Sequence, residues 1–311
     1  MKLRNRIILY VVLIVVLFGG KFLLHFIQFK NSQSSSPMKV AEKNLKNQPY
    51  LAYDINTNKV VFENLTNNII NAGDLVHLYL AYIAMSELDL SEYVRVDTSN
   101  DVIALSNEEK EFSNQSIKNI DLIKTLLLRP YKSVGKTLVK EILKKNNIEF
   151  DENNVDSKCN ELFTTKYGSL FPNTNVVSLF DSQKENKTNL IDIAKVLNKI
   201  YGLNDDILTE KSVSFTSNEG KEFDIKTKVF PRSILREDSN DERLQGIKLS
   251  TISTSEDTQV ESNEVHFITE IADPKSQKKI MLIVANAKDD TLAYSAGYVI
   301  ANMVENEGKN N

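Results

Sequence analysis

The chain has 311 residues, 41% of them hydrophobic, enough for one large domain or two modest ones. Residues 1–30 hold five basic residues (Lys2, Arg4, Arg6, Lys21 and Lys30) and no acidic one, which leaves 33 basic against 42 acidic residues in the rest. An acidic body argues against a nucleic-acid partner, which needs a basic face, and a single cysteine, Cys159, excludes an intramolecular disulfide or a thiolate metal cluster. The three histidines, His25, His77 and His266, are too few for a His-rich zinc site. Neither a metal nor a cofactor is expected.

In chain order, Ile7–Gly20 is an apolar run, interrupted by Lys21 and resumed by Phe22–Ile27. Together they approach the roughly 20 residues needed to span a bilayer as a helix. Lys2, Arg4 and Arg6 precede the run, so the positive-inside bias places the N-terminus in the cytoplasm. Lys21 can snorkel to the headgroups. A cleaved signal peptide is the alternative, because Ile7–Gly20 alone has the length of an h-region. No clear small-x-small cleavage site follows, and no Cys stands there for lipidation. The expected organisation is a cytoplasmic tail over 1–6, a transmembrane helix over 7–27 and a linker over 28–47. Asn31–Pro37 within that linker is rich in Ser and Gln. A domain over 48–305 follows outside a bacterial cell membrane, where the lack of cysteine pairs is ordinary.

Tyr50–Asp54 and Lys59–Glu63 are short β-type runs around Ile55-Asn56-Thr57-Asn58, which predicts a hairpin. Leu75–Leu88 is apolar and free of Gly and Pro, which predicts a buried helix with Asp74 at its N-cap. Val94–Val96 predicts a short strand. Ile120–Leu128, Val134–Asn146 and Thr188–Tyr201 have helical periodicity, the last stopped by Gly202. Polar stretches such as Asp151–Lys158, Glu108–Glu111 and Arg236–Arg243 read as solvated loops. Gly246–Thr251, Glu264–Ala272 and Lys279–Ala287 are strand-like, with Lys275–Lys278 as a hairpin loop, and Asp290–Val304 closes the chain as an amphipathic helix. The expected class is α/β (α+β): an antiparallel sheet from 48–73 and 213–305, flanked by helices, with a helical insert over 74–212.

This order, and several local stretches, resemble the serine penicillin-binding proteins and D-alanyl-D-alanine carboxypeptidases of the β-lactamase-like superfamily. The stretch Ala52–Asn64 is similar to their opening hairpin. Leu78–Met85 resembles the helix after their nucleophile, Thr188–Leu197 the helix before their last strands, and Leu244-Gln245-Gly246-Ile247-Lys248-Leu249-Ser250 their K-T-G strand. The resemblance covers about residues 48–305 and implies three catalytic motifs, each altered here. Where the family has S-x-x-K, this chain has Asp74-Leu75-Val76-His77. That chemistry needs a hydroxyl that attacks an amide carbonyl and a Lys that takes its proton. Acylated Asp74 would be an anhydride that hydrolyses at once, and His77 has no hydroxyl to activate. The second motif, S-x-N, falls on Pro130-Tyr131-Lys132. The third, K-T-G, becomes Lys248-Leu249-Ser250. Leu249 removes the hydroxyl that would hold a carboxylate, and Ser250 adds a side chain where Gly admits a ligand to the strand.

Each position also has an ordinary structural reading: Asp74 as an N-cap, His77 as a packed side chain, Lys248 as a strand-edge charge, Cys159 as a small buried hydrophobe. Asp74 and His77 are three residues apart and share a helix face. One stretch elsewhere, Ser133-Val134-Gly135-Lys136, does fit S-x-x-K at a helix start. The resemblance implies an inactive D-Ala-D-Ala carboxypeptidase-like scaffold or regulator of peptidoglycan assembly. It would bind a cell-wall synthesis or hydrolysis protein, or a peptidoglycan stem peptide. The alternatives are a divergent active serine-type carboxypeptidase, or an unrelated membrane-anchored binding protein.

Overall fold

The structure is a computed structural model and describes residues 43, 45–96, 106–227, 244–252, 264–272 and 279–310. The expected membrane segment 7–27, the loop Lys275–Lys278 and the stretch Arg236–Arg243 lie outside the described residues. Among those described, no helix is long and apolar enough to cross a membrane.

The elements run β1 (Tyr50–Asp54), β2 (Lys59–Asn64), β3 (Ile70–Asn71), α1 (Val76–Glu87), β4 (Tyr93–Arg95), α2 (Asn107–Lys110), β5 (Ser116–Lys118) and α3 (Asn119–Leu128). They continue with α4 (Lys132–Lys145), α5 (Val155–Tyr167), β6 (Lys187–Thr188), α6 (Leu190–Leu203), β7 (Ser212–Thr216), β8 (Glu222–Lys226), β9 (Leu244–Ile252), β10 (Glu264–Ala272), β11 (Lys279–Ala287) and α7 (Asp290–Asn310). Five strands form one antiparallel sheet in the order β2-β1-β11-β10-β9. Both ends of the domain therefore build it, as the sequence implies. The β1–β2 turn forms because Asp54 Oδ1 accepts the N–H groups of Asn56 (2.9 Å) and Thr57 (3.1 Å) and Asn58 takes a positive φ of 54°.

The sheet is buried on both faces, which is why β11 reads as an almost unbroken apolar run. Ile280, Leu282 and Val284 meet α7 through Ala293, Ala296 and Ile300. Met281, Ile283 and Ala285 face the helical block. At the centre of that block stands α1, packed by α3, α4 and α6. Its apolar residues go round the whole helix, as a fully surrounded helix requires, and Val76, Leu78, Tyr79, Leu80, Ala81 and Ile83 are all fully buried.

Several expectations need correction. Helix α1 has Leu75 as its N-cap, with no side-chain cap; Asp74 belongs to a 3₁₀ turn, Gly73–Leu75, that leads into it. Asp151–Lys158 is not wholly a loop, since α5 starts at Val155. The residues Val155, Cys159, Leu162 and Phe163, at i, i+4, i+7 and i+8, are all buried. Glu108–Glu111 lies largely in helix α2, where Glu109 is buried as half of a capping box with Ser106. Gly202 stands inside α6 rather than after it, and Thr188 belongs to β6. The segment over 213–226 does not join the main sheet. Among the described residues, strands β7 and β8 pair only with each other, because Phe223, Phe215 and Ile225 pack against the helical block.

Candidate functional site

The site begins at the 3₁₀ turn before α1. Gly73 has φ +49°, a conformation that favours glycine. The turn is anchored where β3 pairs with β6 and where Ala72 N–H donates to the Asn186 carbonyl at 2.8 Å. These constraints leave Asp74 half-buried at the end of the central helix. Strand β9, at the sheet edge, packs against this turn. The turn that holds Asp74 and the strand that holds positions 248–250 are therefore neighbours, although about 170 residues of chain separate them. In the register, Ser250 pairs with His266, Leu249 with Phe267 and Lys248 with Ile268.

His266 completes this corner. The ring is buried between the Asn71 backbone and the Asp74 carboxylate, and burial pushes its pKa down to about 4. Its Nδ1 accepts the Asn286 N–H at 3.2 Å, which fixes the neutral tautomer with the proton on Nε2. His77 lies one turn beyond Asp74 and is 1% exposed. Its Nε2 is 3.4 Å from the Phe180 carbonyl.

The next residue, Asp181, reaches the second motif, where its Oδ2 is 3.1 Å from Lys132 Nζ. Phe180 fits this narrow space because α4 has Gly135 there; a Cβ on Gly135 would stand 3.0 Å from Phe180 Cβ. So the 180–181 segment is wedged between the first turns of α1 and α4. Pro130 and Tyr131 form the link from α3 to α4, and the Tyr131 hydroxyl turns away to donate to Glu108.

The Ser133/Lys136 pair is a poor nucleophile and base. Ser133 is 1% exposed. Its N–H and Oγ lie 3.3 and 3.4 Å from Glu109 Oε1, and the Lys136 ammonium pairs with Glu152 at 3.0 Å. Among the described residues, no three His, Cys, Asp or Glu side chains converge to hold a metal ion. Sequence reading assigned motif positions 74, 77, 130, 132 and 248–250 from the resemblance. It missed His266, Phe180, Asp181 and Glu109. A polar residue between Val265 and Phe267 in a buried strand was the available signal for His266, and Ser106-x-x-Glu109 the signal for the capping box.

The sequence matches no protein-family model and no curated protein. Solved structures match over almost the whole described domain. A point mutant of the Streptomyces K15 DD-transpeptidase superposes with a TM-score of 0.62 at 13% identity, covering 82% of this chain and 95% of that one. A D-alanyl-D-alanine carboxypeptidase from Mycobacterium tuberculosis gives 0.57 at 15% identity, covering 83% and 90%. Penicillin-binding protein D2 from Listeria monocytogenes, solved with cefotaxime bound, gives 0.56 at 14% identity, covering 82% and 95%. The fold is that of the penicillin-binding DD-peptidases. The resemblance assigns the altered motifs to positions 74 and 77, 130–132 and 248–250. Position 74 holds a carboxylate beside the neutral His266, the Lys132 ammonium pairs with Asp181, and positions 74 and 130 hold no hydroxyl.

Proposed function

We propose that this chain is a membrane-anchored, non-catalytic protein of the DD-peptidase fold that acts outside the cell membrane as a scaffold or regulator of peptidoglycan assembly. The observation that carries this reading is the environment of position 74. Asp74 lies in the turn just before the central helix, a turn that packs on β9; the resemblance assigns the nucleophile to this position, which here holds a carboxylate. A serine nucleophile works through a base that accepts its proton and a second polar group that helps the leaving amine depart. His77, buried against the Phe180 carbonyl, and Pro130, which has no side-chain donor, are poor replacements. Fold alone does not assign a function; the peptidoglycan context rests on the DD-peptidase identity of the structural neighbours, and the anchor on the apolar run 7–27.

The test is release of D-alanine from a peptide ending in D-Ala-D-Ala. The full chain is expected to release none. The double variant Asp74→Ser with His77→Lys is also expected to be silent, because position 130 and positions 249–250 remain altered. Turnover by the native chain would replace this reading with that of a divergent carboxypeptidase. Turnover by the double variant alone would show that the rest of the site is intact.

A further inference from the structure

A concave surface lies between α2, the 129–131 link and the full length of β8 and encloses about 330 Å³. Its floor is Phe112 stacked on Phe223, with ring centroids 4.8 Å apart. Its rim carries the carboxylates of Glu108, Glu111, Glu222 and Asp224 against two cations, Arg129 and Lys226. Both cations are engaged: Arg129 Nε donates to the Lys226 carbonyl at 2.9 Å, and Lys226 Nζ pairs with Asp224 at 3.1 Å. Just outside, Lys221 pairs with Glu111 at 3.2 Å.

The register shows which backbone groups of β8 are open. Ser217 N–H donates to Lys221 O, and Thr227 N–H to Lys211 O. The hydrogen-bonded pairs with β7 are therefore those of Phe223 and Ile225. Glu222, Asp224 and Lys226 turn their N–H and C=O groups the other way, along the groove. The Arg129 bond to the Lys226 carbonyl agrees with that direction. Strand β8 has no partner on this side among the described residues. A free strand edge is a template for pairing, and an extended peptide that joins one gains main-chain bonds while alternate side chains give specificity.

We propose that this edge takes an extended, cationic segment of a protein partner as a third strand. Its apolar side chains would rest on the Phe112–Phe223 floor and its basic ones against Glu108, Glu111 and Glu222. About five residues would match β8 at ~3.4 Å per residue. The surplus of carboxylates selects the charge, and makes the association sensitive to salt. This inference extends a binding role to a partner class, but does not depend on the chemistry of position 74.

The test uses the full chain in mild detergent and a fluorescein-labelled Lys-Val-Lys-Val-Lys peptide, read by fluorescence polarisation at low salt. Saturable binding is expected. The exposed double variant Glu222→Lys with Asp224→Lys should weaken it by about tenfold or more. Asp224→Pro should abolish it, because the lost N–H points away from β7 and the hairpin keeps its own ladder; an unchanged thermal midpoint certifies its fold. A peptide N-methylated at alternate backbone nitrogens should not bind. The proposal is overturned by absence of saturable binding, by equal binding of Glu-Val-Glu-Val-Glu or of the N-methylated peptide, or by indifference to Asp224→Pro. Concentration-dependent dimerisation lost in Asp224→Pro would assign the edge to a second copy of this chain and overturn it as well. Hydrolysis of D-Ala-D-Ala peptides is a separate readout, so the two readings fail independently.

Discussion

Three single residues carry distinct tests. In the folded chain the His266 ring is held neutral by burial, with Nδ1 facing the Asn286 N–H. An unfolded histidine titrates near 6.5, and this one titrates at about 4. The unfolded chain therefore takes up a proton first. The stabilisation that depends on the neutral ring is complete above pH 6.5 and is lost as pH falls through about 4, a loss on the order of 3 kcal/mol. In urea titrations across that window, the native chain should lose stability with falling pH more steeply than His266→Asn. Equal slopes would contradict the assignment. Burial pushes the Glu87 carboxyl up, but hydrogen bonds from Tyr167, Asn146 and Lys166 outweigh it and hold the group below its ordinary 4.5. Its contribution is present above that value and is lost below it, so Glu87→Gln should flatten the more acidic limb of the same curve. Cys159 is 1% exposed, and burial first, then the neighbouring Asp156, pushes its thiol up to about 12. A dithio-nitrobenzoate assay at pH 8 should find no reactive thiol until denaturant is added; rapid labelling of the native chain would contradict the packing of α5 on the core.

At the scale of elements, Glu109 joins two helix starts. Its Oε2 accepts the Ser106 N–H and Oγ at 3.2 and 3.1 Å, closing the α2 capping box, and its Oε1 lies within reach of Ser133 N–H at the first turn of α4. A carboxylate is favoured at such a place because helix N-termini present unsatisfied N–H groups. Glu109→Ala should cost about 1–3 kcal/mol by urea denaturation, and a cost under about 0.5 kcal/mol would show that solvent replaces the cap. The elements that could be read in the sequence are those whose pattern is their own. The unbroken apolar runs of α1 and β11 and the polar turn of the β1–β2 hairpin are of this kind. The unreadable ones depend on partners far away in sequence. Strands β3 and β6 are two residues each and exist because they pair with one another. Helix α5 begins in a polar stretch, and only burial of Val155 and Cys159 against the block shows its register. Asp74 was not legible as a turn residue, since Gly73's positive φ shifts the helix start past it.

For the whole molecule, the sheet assembled from both ends of the domain and the helical block between them produce one consequence that local pattern does not reveal: the edge of β9 meets the start of α1. The approach depends on β10 and β11 being sandwiched between α1's block and α7. Gly297 on α7 marks how tightly that sandwich closes, since a Cβ there would come 2.9 Å from the buried Phe267 ring. Gly297→Val should destabilise by about 1–3 kcal/mol. The three altered motifs could be proposed from the sequence because residue types can be compared position by position. The closure of the site by Phe180, Asp181 and His266 could not, because those contacts span from 20 to 195 positions of chain.

The central claim is that this DD-peptidase fold has no acylating nucleophile. The direct measurement is incubation of the full chain with a fluorescent penicillin, followed by intact mass. An unmodified mass from a folded sample is predicted. A stable adduct of one penicillin per chain would contradict the claim, and digestion would then show which side chain carries it.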